Sequence, residues 1–170
     1  MVQQLVDQLA TSVAVIQIHF HPSAVCLPNF PRAIQTDNRS CGEMATWVCL
    51  QYFGVRCTHN ELRRLLGTNS EGTSVSSIKK TFRSFGFRIL EKDNCCIRDV
   101  RQAIKNGTPM IASVHRGGHY LCIWGISKAH VFVSDSSLNF LGMGRLGIAV
   151  PKAEWQKIFD RWVLIVKPGR

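Results

Sequence analysis

The sequence predicts an α+β fold, with a helical N-terminal half and a C-terminal, mostly antiparallel sheet. Three observations carry that expectation. Between residues 41 and 105, apolar residues recur at helical spacing in segments closed by glycine or a polar turn. After Pro109 they fall in short runs rich in β-branched and aromatic residues. The turns between the first of these runs are too short for a crossover helix, as antiparallel neighbours require. At 170 residues, with 45% apolar and 19% charged side chains, the chain has the size of one domain and the composition to bury a full core.

Residues 1–32 are mildly apolar and irregular, and Pro22, Pro28 and Pro31 break any long element. They read as an N-terminal arm packed on the domain that residues 33–170 form. From Cys41 to Phe53 the sequence CGEMATWVCLQYF is apolar almost all round, which marks a helix buried in the middle of the fold. Gly54 stops it, and its start is expected to be exposed and its body buried. Thr58-x-x-Glu61 is a capping box that opens a second helix through Leu62, Leu65 and Leu66 to Gly67.

A third helix, about Ser74 to Phe85, sets Val75, Ile78, Phe82 and Phe85 on one face and ends at Gly86. A fourth, Ile97 to Lys105, sets Ile97, Val100 and Ile104 against Arg98, Arg101 and Lys105. The basic stripes on these two helices read as solvated faces. Strands MIASVH, HYLCIWGI and HVFVSD follow, then a short helix around Lys152 to Asp160 and a last strand, WVLIVK. Gly142-x-Gly144-x-x-Gly147 matches a dinucleotide-binding string, but Pro151 follows and no helix opens at the third glycine, so it reads as a flexible loop.

Lys and Arg total 21 against 11 acidic residues, a formal charge of +10. Residues 56–105 alone hold 11 basic and 5 acidic side chains. Nucleic acid, anionic lipid and an acidic peptide are all compatible partners on charge. No run approaches the ~20 apolar residues that cross a bilayer, so no membrane span is expected. The run Val13 to Phe20 is broken by Gln17 and His19 and lacks a preceding basic segment, so it does not read as a signal peptide and a cytoplasmic protein is expected.

Seven cysteines, without a C-x-x-C pair, suggest neither a disulfide framework nor a zinc ribbon. His19-x-His21 with Cys26 comes nearest to a metal cluster, but two histidines on one strand face read as structural. No metal or other cofactor is expected.

One cysteine stands apart. Cys41 lies between the polar loop QTDNRS and the buried helix, so its thiol sits at a helix N-terminus, where unpaired N–H groups and the dipole favour a thiolate. Gly42 leaves room for another backbone to approach. A cysteine nucleophile needs an imidazole to share its proton and a group to orient that imidazole. His119, in GGHY, begins a strand after two glycines, and Asp135 ends the next strand. Antiparallel pairing sets the start of one beside the end of the other, so a Cys41-His119-Asp135 triad is possible. His115 precedes the turn and could replace His119, whereas His130 lies at the opposite end of the Asp135 strand.

Several segments in order resemble the double-glycine leader peptidases, papain-like cysteine peptidases that mature bacteriocin and pheromone precursors. They are Gln35-x5-Cys41-Gly42, LQYFGV, ELRRLLG, GTSVSSIKKTFRSFGF, GTPMIASV, GHYLCIWGI and the strand ending in Asp135, and the resemblance covers about residues 33–167. It implies a papain-like cysteine peptidase fold, with Cys41 as nucleophile, His119 as general acid/base and Asp135 as the orienting carboxylate. It further implies that the Gln35 side-chain amide and the Cys41 backbone N–H stabilise the oxyanion.

The implied substrate is a leader peptide cut after Gly-Gly. A partner is a possible separate ABC-type exporter, since family members are commonly the N-terminal portion of one. Two positions depart from the family pattern: Ser40 stands where an acidic residue is frequent, and Ser136 where proline is usual. Two other function classes stay open. One is an acyltransferase, cyclase or deamidase using the same acyl-thioester. The other is a basic module or toxin acting on RNA through its +10 charge, although no aromatic-rich basic motif accompanies that charge.

Overall fold

The computed structural model describes residues 23–137 and 148–169. The His19-x-His21 pair and the Gly142–Gly147 string lie outside the described residues, as does most of the predicted arm.

The helical half holds α1 (Cys41–Tyr52), α2 (His59–Leu66), α3 (Val75–Ser84) and α4 (Ile97–Lys105). Helix α2 starts as its sequence dictates: the Thr58 side chain accepts the Glu61 N–H at 3.2 Å and the Glu61 carboxylate accepts the Thr58 N–H at 2.8 Å. Its end is Gly67 in the left-handed region at φ 60°, where a glycine costs no steric strain. Ser74 caps α3, and Asp99 receives the Cys96 N–H at the start of α4.

The sheet holds β1 (Val25–Cys26), β2 (Phe87–Lys92), β3 (Met110–Val114), β4 (His119–Ile126), β5 (His130–Ser134), β6 (Ile148–Pro151) and β7 (Phe159–Pro168), with α5 (Lys152–Ile158) between the last two. Its order is β2-β7-β3-β4-β5-β6, every described pairing is antiparallel, and β1 adds to β4. The α+β class and the antiparallel sheet agree with the sequence reading.

Three strands were not expected. β2 pairs with β7 along its whole length, although Leu90 within it is 51% exposed and breaks the apolar alternation. β1 and β6 are too short for periodicity to reveal. Val25–Cys26 joins β4, and Leu27, Phe30 and Ala33 enter the core, so residues 23–34 are built into the domain.

Helix α1 is buried almost all round, as its composition requires, and packs on β4, with Cys122 donating its S–H to the Ala45 carbonyl at 3.2 Å. Its start differs from expectation. Gly42 and Glu43 are buried, Glu43 to 3% exposure, because Thr73 lies against Gly42 and Arg63 of α2 stands 3.5 Å from the Glu43 carboxylate. The basic stripes are mainly solvated: Lys80, Arg83, Arg98 and Lys105 are exposed, and Lys79 pairs with Glu91 of β2 at 2.6 Å.

Candidate active site

Strands β4 and β5 form a hairpin in which Cys122 stands opposite Ser134. Carried one residue past β5, that register sets Asp135 opposite Leu121, and so diagonal to His119 on the same face. His119 Nε2 accordingly meets Asp135 Oδ1 at 2.7 Å, with both side chains almost wholly buried. The Ser137 N–H donates to the same Oδ1 at 2.9 Å, so the segment after β5 folds back and fixes the carboxylate.

Cys41 is the first residue of α1, and its half-buried thiol hydrogen-bonds the His119 imidazole. With Nε2 engaged by Asp135, Nδ1 is the nitrogen left for sulfur. Burial pushes the Cys41 thiol up, but the hydrogen bond to His119, the N–H groups of Tyr120 and Gly42 and the imidazolium charge together bring it below its ordinary value. Burial alone would lower His119; its bonds to Asp135 and Cys41 outweigh that and raise it to about 9. Both shifts favour the thiolate–imidazolium form of the pair over the neutral one. Burial drives Cys26 and Cys95 the other way, to about 11 and about 12, which leaves them inert thiols.

Gln35 is held on both sides. Its backbone N–H donates to the Ser136 carbonyl at 2.9 Å, its Oε1 accepts the Ser136 hydroxyl at 2.7 Å, and its Nε2 donates to the Asp37 carbonyl at 2.8 Å. The loop between Gln35 and Cys41 is braced by Asp37, which accepts the Arg39 N–H and pairs with Arg63 at 2.9 Å; the Arg39 N–H first, then Arg63, hold its carboxyl at about 2.

Around Cys41 and His119 runs a cleft of about 210 Å³ lined by Thr73, Gly117, Gly118 and Tyr120 among others. That is below the ~300 Å³ at which small-molecule pockets begin. His115, the alternative base, is exposed in the turn, and His130 is at the far end of β5. Among the described residues no group of three or more His, Cys, Asp or Glu side chains could hold a metal ion.

Three contributors escaped the sequence reading. Thr73 and Tyr120 narrow the cleft, and only the approach of α1 to the segment before α3 makes Thr73 relevant. Asp160 holds the turn that precedes His119 through bonds to Ser113, Arg116 and Gly117. A link across more than 40 residues leaves no local signal.

A half-buried cysteine opens a buried helix, with a histidine on the adjacent hairpin and a carboxylate behind it. The family model of the peptidase C39 family matches residues 29–170. The chain belongs to the peptidase C39 family. This C39 chain is 33% identical over 129 residues to the lactococcin transport/processing ATP-binding protein LcnC-like of Lactococcus lactis subsp. lactis (strain IL1403), a match covering 73% of this chain and 17% of that protein.

Among solved structures, the C39 fold superposes on the peptidase domain of Streptococcus ComA, a bi-functional ABC transporter involved in quorum sensing. The TM-score is 0.70 at 17% identity, covering 82% of this chain and 99% of that one. It also superposes on a double glycine motif protease from an AMS/PCAT transporter in complex with the leader peptide, at TM-score 0.66 and 18% identity, covering 81% and 91% of the two chains. The chain spans 17% to 20% of the length of the lactococcin processing and transport relatives it matches. As a C39 member it is a cysteine peptidase by family. No helix among the described residues is long and apolar enough to cross a membrane.

Proposed function

We propose that the chain cleaves leader peptides after a Gly-Gly pair, with Cys41 as nucleophile, His119 as general acid and base, and Asp135 as the group that orients His119. The observation that carries this reading is the relay from the Cys41 thiol through His119 to Asp135, beside a small cleft lined by Thr73, Gly118 and Tyr120. The relatives' names, lactococcin processing and double glycine motif protease, support the substrate class.

In this mechanism the Cys41 thiolate attacks the scissile carbonyl carbon. The resulting oxyanion accepts hydrogen bonds from Gln35 Nε2 and the Cys41 backbone N–H. The His119 imidazolium gives its proton to the departing amine nitrogen as the C–N bond breaks, leaving the leader as a thioester on Cys41. His119, now neutral, takes a proton from water; the hydroxide adds to the thioester and the carbon–sulfur bond breaks. The leader leaves as a free carboxylate and the thiolate returns. The reaction belongs in the cytoplasm in this reading, with an ABC-type exporter to carry the matured product.

The test uses purified protein and a precursor peptide with Gly-Gly before the cut. Cleavage at that bond, lost in Cys41→Ala and lost when either glycine is replaced by leucine, is the expected result. Absence of cleavage together with degradation of RNA that requires Cys41 would overturn it.

A further inference from the structure

The Gln35 side chain has its two ends assigned by the chemistry of its partners. The Asp37 carbonyl can only accept, so it takes a hydrogen from Nε2, and Oε1 then faces Ser136. A hydroxyl can donate or accept; facing Oε1 it must donate, and does so at 2.7 Å. The same residue's carbonyl takes the Gln35 backbone N–H at 2.9 Å. Ser136 is buried, and it directly follows Asp135, the partner of His119. One short segment past β5 thus grips both the histidine and Gln35.

We propose that Ser136 is a positioning residue for the reaction, its hydroxyl fixing the plane of the Gln35 amide so that the second Nε2 hydrogen meets the oxyanion. The inference rests on the reading of Gln35 as an oxyanion donor. Two bonds, one at each end of the amide, together restrain its rotation. With the Ser136 hydroxyl gone, the Asp37 carbonyl alone restrains the amide, which can then swing about the remaining bond. Ser136 touches no reacting atom in this scheme and acts only through Gln35.

The test needs no leader peptide. p-Nitrophenyl acetate acylates a cysteine thiolate: sulfur adds to the ester carbonyl, an oxyanion forms, p-nitrophenolate leaves and an acetyl thioester remains. Iodoacetamide alkylates the same sulfur by displacing iodide, with no oxyanion. Ser136→Ala is expected to slow the p-nitrophenolate burst roughly tenfold, the effect of one misdirected hydrogen bond, while leaving the rate of Cys41 alkylation unchanged. In a Gln35→Ala background, itself slowed by roughly 10²-fold or more, Ser136→Ala should add nothing.

An equal loss in both backgrounds, a wild-type burst in Ser136→Ala, or a matching loss in alkylation would each overturn the proposal. A wild-type burst in Gln35→Ala would remove Gln35 from the oxyanion site and Ser136 with it. A slow Gln35→Ala beside a fast Ser136→Ala would remove Ser136 alone.

Discussion

Asp160 Oδ2, at the start of β7, accepts the backbone N–H of Gly117 at 2.8 Å and so ties the far end of the chain to the turn before His119. The same carboxylate accepts the Ser113 hydroxyl at 2.6 Å and the Arg116 N–H at 2.7 Å. The turn needs the help. His115, Arg116 and Gly117 follow one another at φ 57°, 60° and 82°, and the left-handed region costs a non-glycine residue roughly 1–2 kcal/mol. Three bonds to one carboxylate offset that strain and set where β4 begins.

Asp160→Ala should therefore destabilise the fold by about 2 kcal/mol, below the sum for three buried bonds because water reaches part of the site. Burial raises the Asp160 carboxyl, but the Ser113 hydroxyl and the Gly117 and Arg116 N–H groups outweigh it, so the group is held below its ordinary value. A depressed carboxyl stabilises the fold above the unfolded-state pKa, about 3.9, and loses that contribution as pH falls through the lower folded value. Urea denaturation should show the gap between wild type and variant in full at pH 7 and diminished below about pH 4. A gap that stays constant into acid would mean that the carboxylate charge is not what holds the turn.

The Cys41–His119 pair sets a pH window for thiol reactivity. The thiolate forms as pH rises through the depressed Cys41 value, and its imidazolium partner is lost as pH passes about 9. The rate of iodoacetamide alkylation of Cys41, followed by mass spectrometry, should rise at lower pH than that of an ordinary thiol. Cys41 should also be labelled before Cys96, which is exposed but has no such partner. His119→Ala removes the hydrogen bond and the charge, and should cut labelling at pH 7 by roughly tenfold as the thiol returns toward ~8.5 or above. Stability linked to the imidazolium should be complete below about pH 6.5 and decline as pH rises through about 9. Equal labelling of wild type and His119→Ala at pH 7 would break the pairing argument.

What could be read from the sequence follows the range of each interaction. The Thr58–Glu61 box spans three residues, and α4 begins and ends where its apolar stripe does. His119 and Asp135 could be paired because a short turn fixes the register of the two strands that carry them. The family pattern named Gln35, but not the Ser136 and Asp37 contacts that hold its amide. The insertion of β7 between β2 and β3 is a choice among distant partners, and neither FRILEK nor WVLIVK states it. Asp160 and Thr73 are ordinary polar residues in sequence, and acquire their roles only where separate elements converge on the cleft.

Gly42→Ala sets two known effects against each other. Within a helix alanine is favoured over glycine by up to about 1 kcal/mol, so the substitution would stabilise α1 if nothing lay against it. A Cβ at Gly42 would stand 2.9 Å from Thr73 Cβ and 3.3 Å from Tyr120 Cδ2. The tighter contact involves an atom fixed to the Thr73 backbone, so no rotamer change relieves it; the segment before α3 would have to move, and with it one wall of the cleft. Overpacking of this kind costs roughly 1–3 kcal/mol, which exceeds the helix gain. Net destabilisation of about 1 kcal/mol or more is expected, with slower acylation of Cys41. Thr73→Gly deletes the opposing Cβ along with the hydroxyl that bonds Thr68 at 2.8 Å, so it should be destabilising alone. Combined with Gly42→Ala, the pair should be more stable than the sum of the single changes by about 1 kcal/mol or more. Additive costs, or a Gly42→Ala protein as stable as wild type, would show that α1 and the Thr73 segment have slack between them and that Gly42 does not set the width of the cleft.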